Sequence, residues 1–146
     1  MQTDVSVEPL DVHNWEACAA LTLSPEQVAH VQSNVFVIAR AQFEALEVFA
    51  IRYKGNIAGM YALYCKHGVM WLSHFMLDSK WQNLKIGSQV LRYLLDTFQN
   101  HTNVHEVRVS VMRDNVDGAL FFVKSGFQIL GVYPDGEQVF QYSWSI

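Results

Sequence analysis

The chain has 146 residues, of which 51% are hydrophobic and 16% are charged. This length and composition fit one globular domain with a real core and exclude a disordered chain. The net charge of −4, without a cluster of lysine or arginine, argues against a nucleic-acid groove. No apolar run approaches the length of a transmembrane helix. The N-terminus carries Asp4 and Glu8 where a signal peptide would be positive, so we expect a cytoplasmic protein that does not bind membranes.

The cysteine and histidine residues show no metal-binding pattern. Cys18 and Cys65 are isolated in the sequence, so we expect both thiols to be buried and reduced. The six histidines never pair at i and i+4 on a predicted helix, and we therefore expect no zinc site.

The first half of the chain predicts a strand, helices and a hairpin. Asn14 is a candidate helix cap, and Ser24-Pro25-Glu26-Gln27 is a stronger helix start, with Ser at the cap and Pro at the first helical position. The helical region that follows is expected to run to about Leu46, with a break near residues 33–34. Lys54-Gly55-Asn56 is expected to form a hairpin turn. The other predicted segments are strands at residues 5–10, 48–53 and 57–64 and a helix from residue 14 to about residue 21.

The most informative stretch, residues 81–88, joins a predicted strand to a predicted helix. Residues 69–77 form an apolar and aromatic run that contains His74 and is typical of a buried strand. Helical spacing then relates Ile86, Val90, Leu91, Leu94, Leu95 and Phe98. A strand that turns sharply into a helix directs free N–H groups and the positive end of the helix dipole at one point, which favours a phosphate site. Asn83 tolerates positive φ, and Gly87 lets an anion approach the backbone. The alternative is an ordinary turn that binds nothing.

The second half of the chain predicts alternating strands and helices. Residues 117–125 are expected to form a helix that Gly126 stops in the C′ position. The predicted strands are residues 107–111, 127–133 and 139–144, the last two around the turn 134–136. The whole order indicates a mixed α/β fold, with antiparallel hairpins at the front and back of one sheet and helices on both of its faces.

Two short motifs follow one another in this order. The first is the segment 82–87, Gln-Asn-Leu-Lys-Ile-Gly, with a helix rich in leucine behind it. The second consists of Asn115, Ala119, Phe122, Lys124, Gly126 and Phe127. They resemble the Gln/Arg-x-x-Gly-x-Gly/Ala signature and the Asn…Ala…Tyr…Gly-Phe segment of the GCN5-related N-acetyltransferase (GNAT) superfamily. The resemblance extends over essentially the whole chain.

Further segments resemble one branch of that superfamily, the bacterial spermine/spermidine (diamine) acetyltransferases. These segments are residues 14–16, 21–28, 31–34, 38–41, 57–61 and 75–78. The resemblance implies a single domain over residues 1–146 with an α/β (α+β) fold. Its central sheet would have about seven mostly antiparallel strands, splayed at the middle, with helices on both faces. It also implies acetyl-CoA as the cosubstrate, without a metal.

The resemblance also implies roles for individual residues. The backbone of Phe75, Met76 and Leu77 would pair with the pantetheine arm of acetyl-CoA, and an N–H near Met76 would bind the thioester carbonyl. The pyrophosphate would rest on the backbone N–H groups of Gln82, Asn83, Leu84, Lys85, Ile86, Gly87 and Ser88. Asn115 and Phe122 would contact the cofactor arm. Lys124 would approach the adenosine phosphates, unless it is simply a solvated helix lysine.

The chain departs from the family pattern at two positions. Lys85 replaces a glycine, which is unfavourable if that position needs positive φ but helpful if the ammonium binds the anion. Phe122 replaces the tyrosine that protonates the leaving thiolate. Tyr133 or Tyr142 is a candidate replacement, as is water. His74 is the candidate general base, with a packed histidine and a water chain as alternatives. Regular alternation places Trp71 on the opposite strand face from His74, unless a bulge intervenes.

The acceptor amine is the least determined part of the prediction. A polyamine would need carboxylates in the acceptor cleft. The candidates are Glu26, Glu44, Glu47 and Glu137, and the aromatic candidates for a less polar pocket are Trp15, Phe36, Phe43 and Trp71. The leading hypothesis is direct acetyl transfer to a small-molecule primary amine, first of all a polyamine. The alternatives are a peptide or protein amine, or a catalytically impaired CoA-binding sensor or interaction module. A homodimer is compatible with the sequence.

Overall fold

The computed structural model describes residues 4–29, 31–101 and 103–144. Its strands are β1 (Val5–Pro9), β2 (Glu47–Tyr53), β3 (Asn56–Lys66), β4 (Val69–Leu77), β5 (Glu106–Met112), β6 (Gln128–Val132) and β7 (Glu137–Ser143). Its helices are α1 (Trp15–Ala19), α2 (Pro25–Val28), α3 (Asn34–Arg40), α4 (Ile86–Gln99) and α5 (Val116–Lys124), with a short 3-10 helix at Ser79–Trp81. The sheet order is β1-β2-β3-β4-β5-β7-β6, and among these described strands only β4 and β5 pair in parallel. The predicted mixed, mostly antiparallel sheet is confirmed.

Two tight hairpins connect the strands of the front half. Lys54 and Gly55 have φ of 50° and 82°, and His67 and Gly68 have φ of 53° and 81°. Positive φ at both central residues is the geometry of a type I′ turn, which matches the right-handed twist of the flanking strands. The predicted turn at residues 54–56 is therefore present, one residue shorter than expected because Asn56 already pairs with Tyr53.

The helical region before β2 is shorter than the sequence suggested. The helix predicted to reach about Leu46 is divided between α2 and α3 and ends at Arg40. The break lies where expected, because the Ser33 hydroxyl accepts the Phe36 N–H at 3.1 Å and starts a new helix there. Asn14 occupies the N-cap of α1, but its amide instead donates to Glu8 and to the Pro9 carbonyl. The prediction that Asn14 caps this helix with its side chain is therefore wrong.

Two hydrophobic cores lie on opposite faces of the sheet. The larger lies against α4 and α5, and the smaller lies against α1 and α3. The buried residues of α4 are Ile86, Gly87, Val90, Leu91, Leu94, Leu95 and Phe98. This is the stripe that helical spacing predicted. Helix α5 ends at Lys124, and Gly126 follows its C-cap with a φ of +101°. The Phe127 N–H donates to the Phe122 carbonyl and the Gly126 N–H to the Val123 carbonyl, each at 3.0 Å. These bonds form a Schellman motif, with Gly126 at C′.

Strands β4 and β5 separate halfway along their length. They pair from Val69 to Leu72 on β4, opposite Glu106 to Val109 on β5, and then diverge. At the same point the register between β3 and β4 shifts, which leaves Ser73 without a partner of its own. This bulge changes which residues face each side of the sheet. Leu72 before it and Phe75 after it both pack into the larger core, and Trp71 shares the opposite face with His74.

The two cysteines differ in environment. Cys18 is fully buried, and this burial raises the pKa of its thiol to about 11. Cys65 is exposed near the end of β3, so the prediction that both thiols are buried is wrong for Cys65. The predicted strand ended at residue 64, but β3 continues to Lys66, and its last residues, including Cys65, extend beyond the cores. Among the described residues, no helix is long and apolar enough to cross a membrane.

Candidate active site

A groove opens where β4 and β5 diverge. Its volume is about 1980 Å³, and its lining includes residues from both faces of the sheet. The second half of β4 and the end of β5 form its floor. Its walls are α2, the first residues of α4 and α5, and the turn between β6 and β7. A parallel pair of strands that diverges leaves the backbone of one edge without a partner, and this edge is available to an extended ligand.

The open edge of β4 presents alternate backbone groups. The Asp78 N–H donates to the Ala58 carbonyl at 2.8 Å, which fixes the phase of the β3–β4 ladder. Because bonded pairs alternate along an antiparallel ladder, the backbone groups of Met76 point to β3. Those of Phe75 and Leu77 point into the groove. The Leu77 carbonyl already accepts a bond from the Gln82 side chain at 3.0 Å.

The turn between β4 and α4 has the backbone expected of an anion site. Asn83 and Lys85 both have φ of 63°, and Lys85 is the N-cap of α4. The prediction of positive φ at Asn83 is confirmed. The first N–H groups of α4 have no partner within the helix, and Gln89 is the first residue to donate back, to the Lys85 carbonyl at 3.2 Å. Free N–H donors beside an open strand edge fit an extended anionic ligand such as acetyl-CoA.

Residues around this turn differ in how they meet the groove. Lys85 stands in the left-handed region without the freedom of glycine, which costs about 1–2 kcal/mol. Gly87 is buried, and a Cβ added there would lie 3.5 Å from the Phe121 ring, at ordinary contact distance. Its lack of a side chain therefore leaves room on the α5 side of the groove. Ser88 and Leu84 are exposed, whereas Ile86 packs into the larger core.

Asp78 and Gln82 connect this turn to the segment before α2. Asp78 accepts the Thr22 N–H at 2.8 Å and the Lys80 N–H at 3.1 Å. Burial acts to raise the pKa of Asp78, but these hydrogen bonds outweigh it and hold the pKa below its ordinary value. Gln82 forms two reciprocal amide bonds with Gln27, each 3.0 Å long.

His74 lies in a buried polar cluster at the point where the sheet opens. Its Nε2 is 2.9 Å from Oδ1 of Asn34, whose Nδ2 donates to the Cys18 carbonyl at 2.9 Å. Because an amide oxygen only accepts, His74 carries its proton on Nε2 and leaves Nδ1 as an acceptor. His74 is 6% exposed, and burial lowers its pKa to about 4. The imidazole is therefore neutral at physiological pH.

Phe122 stands in a ladder of aromatic rings. It meets Phe121 and Phe127 edge to face, with centroids 5.0 Å and 5.3 Å apart. Tyr142 continues the same ladder under Gly126 and is not among the residues that line the groove. Tyr133 does line the groove and is 49% exposed. Of the two candidate hydroxyls, only that of Tyr133 stands at the site.

Asn115 and Lys124 stand at opposite ends of α5. Asn115 lines the groove and caps the helix, because its Oδ1 accepts the Gly118 N–H at 3.0 Å. A Cβ at Gly118 would lie 2.5 Å from the Asn115 amide, so glycine permits this cap. Lys124 is the exposed last residue of α5, away from the groove lining.

The candidate acceptor residues separate into two groups. Glu26, Glu137 and Trp71 line the groove, and Trp71 stacks on Tyr64 with centroids 6.2 Å apart. The others lie outside the groove lining: Glu44, Glu47, Trp15, Phe36 and Phe43. Sequence reasoning missed several lining or supporting residues, namely Asn34, Asp114, Asp117 and Asp135. It treated Gln27 only as part of a helix start. Among the described residues, no group of three His, Cys, Asp or Glu side chains is arranged to hold a metal ion.

Comparison with known proteins gives consistent results. The sequence model of the acetyltransferase (GNAT) family matches residues 11–127. A spermine/spermidine N(1)-acetyltransferase of Bacillus subtilis (strain 168) is 22% identical over 145 residues, covering 92% of this chain and 95% of that protein.

Two solved structures share the fold. A GNAT family acetyltransferase from Elizabethkingia anophelis with acetyl-CoA bound has a TM-score of 0.72 at 15% identity, covering 98% of this chain and 100% of that one. An acetyltransferase from Salmonella typhimurium modifies the N-terminal serine of a 50S ribosomal subunit protein. It has a TM-score of 0.79 at 15% identity, covering 99% of this chain and 97% of that one.

The family match includes both motifs, the predicted phosphate turn at residues 82–88 and the segment from Asn115 to Phe127. The groove supplies what the two motifs require, an open β4 edge and free N–H groups at the start of α4. The predicted resemblance is thereby confirmed. The chain belongs to the GNAT acetyltransferase family, and it is an N-acetyltransferase that uses acetyl-CoA as its cosubstrate.

Proposed function

We propose that the protein transfers the acetyl group directly to a primary amine of a small polyamine. The observation that carries this proposal is the charge of the groove. Among the residues that the structure describes, its lining contains five carboxylates, Glu26, Asp114, Asp117, Asp135 and Glu137, and two cations, Arg40 and Lys85. The charge of Arg40 is offset by Glu44, which accepts its Nε–H at 3.0 Å. Such a groove attracts a cationic amine and disfavours an acidic acceptor.

We divide the groove into two regions. The cofactor half comprises the open edge of β4 at residues 75–77, the turn at residues 82–88 and Asn115. In our proposal the N–H groups of the turn hold the pyrophosphate, and the Phe75 and Leu77 backbone groups face the pantetheine arm. Lys85 belongs to this turn and adds a positive charge to it. Phe122 supports the arm from the side of α5, whereas Lys124, at the other end of α5 and outside the groove lining, is a solvated helix lysine.

The acceptor half comprises α2, Trp71, Tyr133 and Glu137. Trp71 and Tyr64 offer an aromatic surface to the methylene chain of a polyamine, and the carboxylates hold its distal ammonium groups. The name of the Bacillus subtilis relative, a spermine/spermidine acetyltransferase, supports this choice of acceptor. The acceptor half uses side chains for recognition, whereas the cofactor half uses the backbone.

The chemistry needs a proton acceptor for the amine and a proton donor for the thiol. Bound acetyl-CoA supplies a thioester carbonyl that a neutral amine can attack. In our proposal His74 takes the amine proton on Nδ1, directly or through water, because its Nε2 proton is committed to Asn34. A pKa of about 4 makes the imidazole a weak base, which is unprotonated at physiological pH and can accept a proton. The Tyr133 hydroxyl then protonates the departing thiolate in place of the tyrosine that Phe122 replaces.

The test is a turnover assay that detects the released thiol with a panel of acceptors. The panel contains spermidine, spermine, a neutral primary amine and peptides with free N-termini. We expect spermidine or spermine to give the highest kcat/KM, and Glu137→Gln to raise the KM for these amines without changing that for acetyl-CoA. Preference for a peptide would reassign the acceptor. Acetyl-CoA binding without turnover on any amine would leave the sensor hypothesis.

A further inference from the structure

Helix α2 forms a wall of the groove without being held by either core. It has only four residues, Pro25–Val28, and none of them is buried. Glu26 and Gln27 nevertheless line the groove, as does Leu23 just before the helix. Hydrophobic packing fixes most helices in folded proteins, but here only Leu23, just before α2, packs against the smaller core, so the position of α2 depends on further contacts.

Polar bonds hold the chain on the N-terminal side of α2. The Thr22 N–H donates to Asp78 Oδ2 at 2.8 Å, and the Ser79 N–H donates to the Thr22 carbonyl at 2.9 Å. The Thr22 hydroxyl adds a longer bond to the same carboxylate at 3.3 Å. All of these partners lie at the end of β4 and in the short 3-10 helix. The wall is therefore fastened to the segment that leads into the phosphate turn.

The second connection runs from α2 itself. Gln27 Nε2 donates to Gln82 Oε1, and Gln82 Nε2 donates back to Gln27 Oε1, each at 3.0 Å. The other hydrogen of Gln82 Nε2 reaches the Leu77 carbonyl at 3.0 Å. Both donor hydrogens and the acceptor of the Gln82 amide are thus engaged. One side chain joins the open edge of β4, the first residue of the phosphate turn and the acceptor wall.

We propose that Gln27 is a positioning residue for the acceptor, acting through its amide pair with Gln82. The pair transmits the order of the phosphate turn to α2, because Gln82 is a residue of the turn and its amide is bonded to Gln27 on α2. When acetyl-CoA or CoA fixes the turn, α2 is held in the place where Glu26 faces the groove. The amine then meets a formed wall and not a mobile one. The choice of amine rests on the function proposed above, but the connection between turn and wall does not.

This connection makes the two binding events cooperative. If CoA lowers the freedom of α2, a second ligand that contacts α2 loses less conformational entropy on binding. By linkage, the amine strengthens CoA binding by the same factor. Coupling of this type is commonly about 5-fold to 150-fold in affinity. Loss of the amide pair should remove the coupling while leaving each separate site intact.

The first experiment follows backbone hydrogen exchange of residues 24–29 with and without CoA. Wild-type protein should show stronger protection of this segment when CoA is bound. In Gln27→Leu, CoA should still protect the phosphate turn at residues 82–88 but not residues 24–29. Equal CoA-induced protection of residues 24–29 in wild type and variant, or none in wild type, would overturn the proposal. This readout needs no amine, so it is independent of the acceptor.

The second experiment measures the dissociation constant of spermidine with and without CoA, a pair that cannot react. We expect at least a fivefold tightening by CoA in wild type and a factor near one in Gln27→Leu. Gln27→Glu, which keeps the bond from Gln82 Nε2 but cannot donate, should lie between them. Coupling that persists in Gln27→Leu would contradict the role of the pair. Failure of spermidine to bind in any state would instead count against the proposed acceptor.

Gln32→Leu is the matched control. Gln32 lines the same wall, but its side chain accepts from Arg40 at 3.3 Å and not from the phosphate turn. The control should retain the coupling even if its spermidine affinity changes. In steady-state assays Gln27→Leu should raise the amine KM more than it lowers kcat, and the KM for acetyl-CoA should rise only at saturating amine, where the coupling acts. A purely structural role would lower kcat and would weaken acetyl-CoA binding equally with and without the amine.

Discussion

The two halves of the groove are built in different ways. In the cofactor half the groups that we propose bind acetyl-CoA are backbone atoms on β4 and α4, and neighbouring side chains such as Ile86 are buried in the larger core. In the acceptor half the groups that we propose bind the amine are side chains on α2 and on the β6–β7 turn, and α2 buries no residue. A site made from backbone is fixed by the fold. A site made from side chains on a loosely packed segment depends on a few polar bonds.

His74 lies between the halves, and its protonation should change the free energy of unfolding of the whole domain. Its folded pKa of about 4 lies below the ordinary value of 6.5, so the unfolded chain binds more protons between these values. The contribution of His74 to the free energy of unfolding should be fully present above about pH 6.5 and should be lost as the pH drops toward 4. The expected loss is about 3 kcal/mol at 1.36 kcal/mol per pH unit. Urea unfolding at pH 7.5 and pH 4.5 would measure it.

His74→Gln is the control for this slope, because glutamine can still bond to Asn34 but does not titrate. The variant should lose most of the dependence between pH 6.5 and pH 4. Asp78 does not contribute to this slope. Because its pKa is lowered in the folded state, its effect on the free energy of unfolding changes only below about its ordinary pKa of 3.8. An unchanged slope in His74→Gln would show that another group titrates in this window.

The backbone nature of the cofactor half can be tested by removing one N–H group. Ser88 is the third residue of α4, in the first turn, where its N–H has no partner within the helix, so proline there removes no helical hydrogen bond. Ser88→Pro should weaken acetyl-CoA binding by about tenfold to a hundredfold, the usual contribution of a hydrogen bond to a charged group. Calorimetric titration gives the affinity. Ser88→Ala keeps the N–H and should bind normally, and equal loss in both variants would implicate the hydroxyl.

Phe122 tests whether the groove lacks a proton donor. Phe122→Tyr restores the hydroxyl that the family pattern has at this position, and we expect kcat to rise about tenfold. This lies below the 100-fold to 10,000-fold typical of general acids, because a thiolate leaves easily. Thiol release at saturating substrates measures it. Tyr133→Phe should lower kcat, and the double variant should recover it, whereas an inert Tyr133→Phe would exclude Tyr133 as the donor.

Substitution of Lys85 in the turn before α4 should give the smallest change in stability and in acetyl-CoA affinity. Its φ of 63° is unfavourable for lysine, so Lys85→Gly should relieve about 1 kcal/mol of strain in the folded state. Part of this gain is offset by the greater freedom of glycine in the unfolded chain. Lys85→Asn tolerates the left-handed conformation and removes the charge. If both variants bind acetyl-CoA more weakly in low salt, the ammonium contributes to anion binding, whereas unchanged affinity would limit Lys85 to a conformational role.

The contrast between the halves also explains what could be predicted from the sequence. The bounds of β4, the stripe of α4, the stop at Gly126 and the positive φ of Asn83 follow from residues within a few positions of one another. The Gln27–Gln82 pair spans 55 positions, and the Asn34–His74 pair spans 40. No pattern among neighbouring residues in the sequence predicts such contacts. The cofactor half was therefore predictable, and the supports of the acceptor half were not.

The bulge at Ser73 decides which side chains of β4 face each side of the sheet. It divides β4 into two segments whose pleats are out of step, with Leu72 and Phe75 on one face and Trp71 and His74 on the other. Loss of Ser73 would leave these four side chains on their present faces, because Trp71, Leu72, His74 and Phe75 would then alternate regularly. If Ser73 instead paired regularly within the ladder, the side chains on one side of it would exchange faces, while the turn at residues 82–88 kept its backbone. The bulge thus decides which groups are presented to the acceptor more completely than any single substitution.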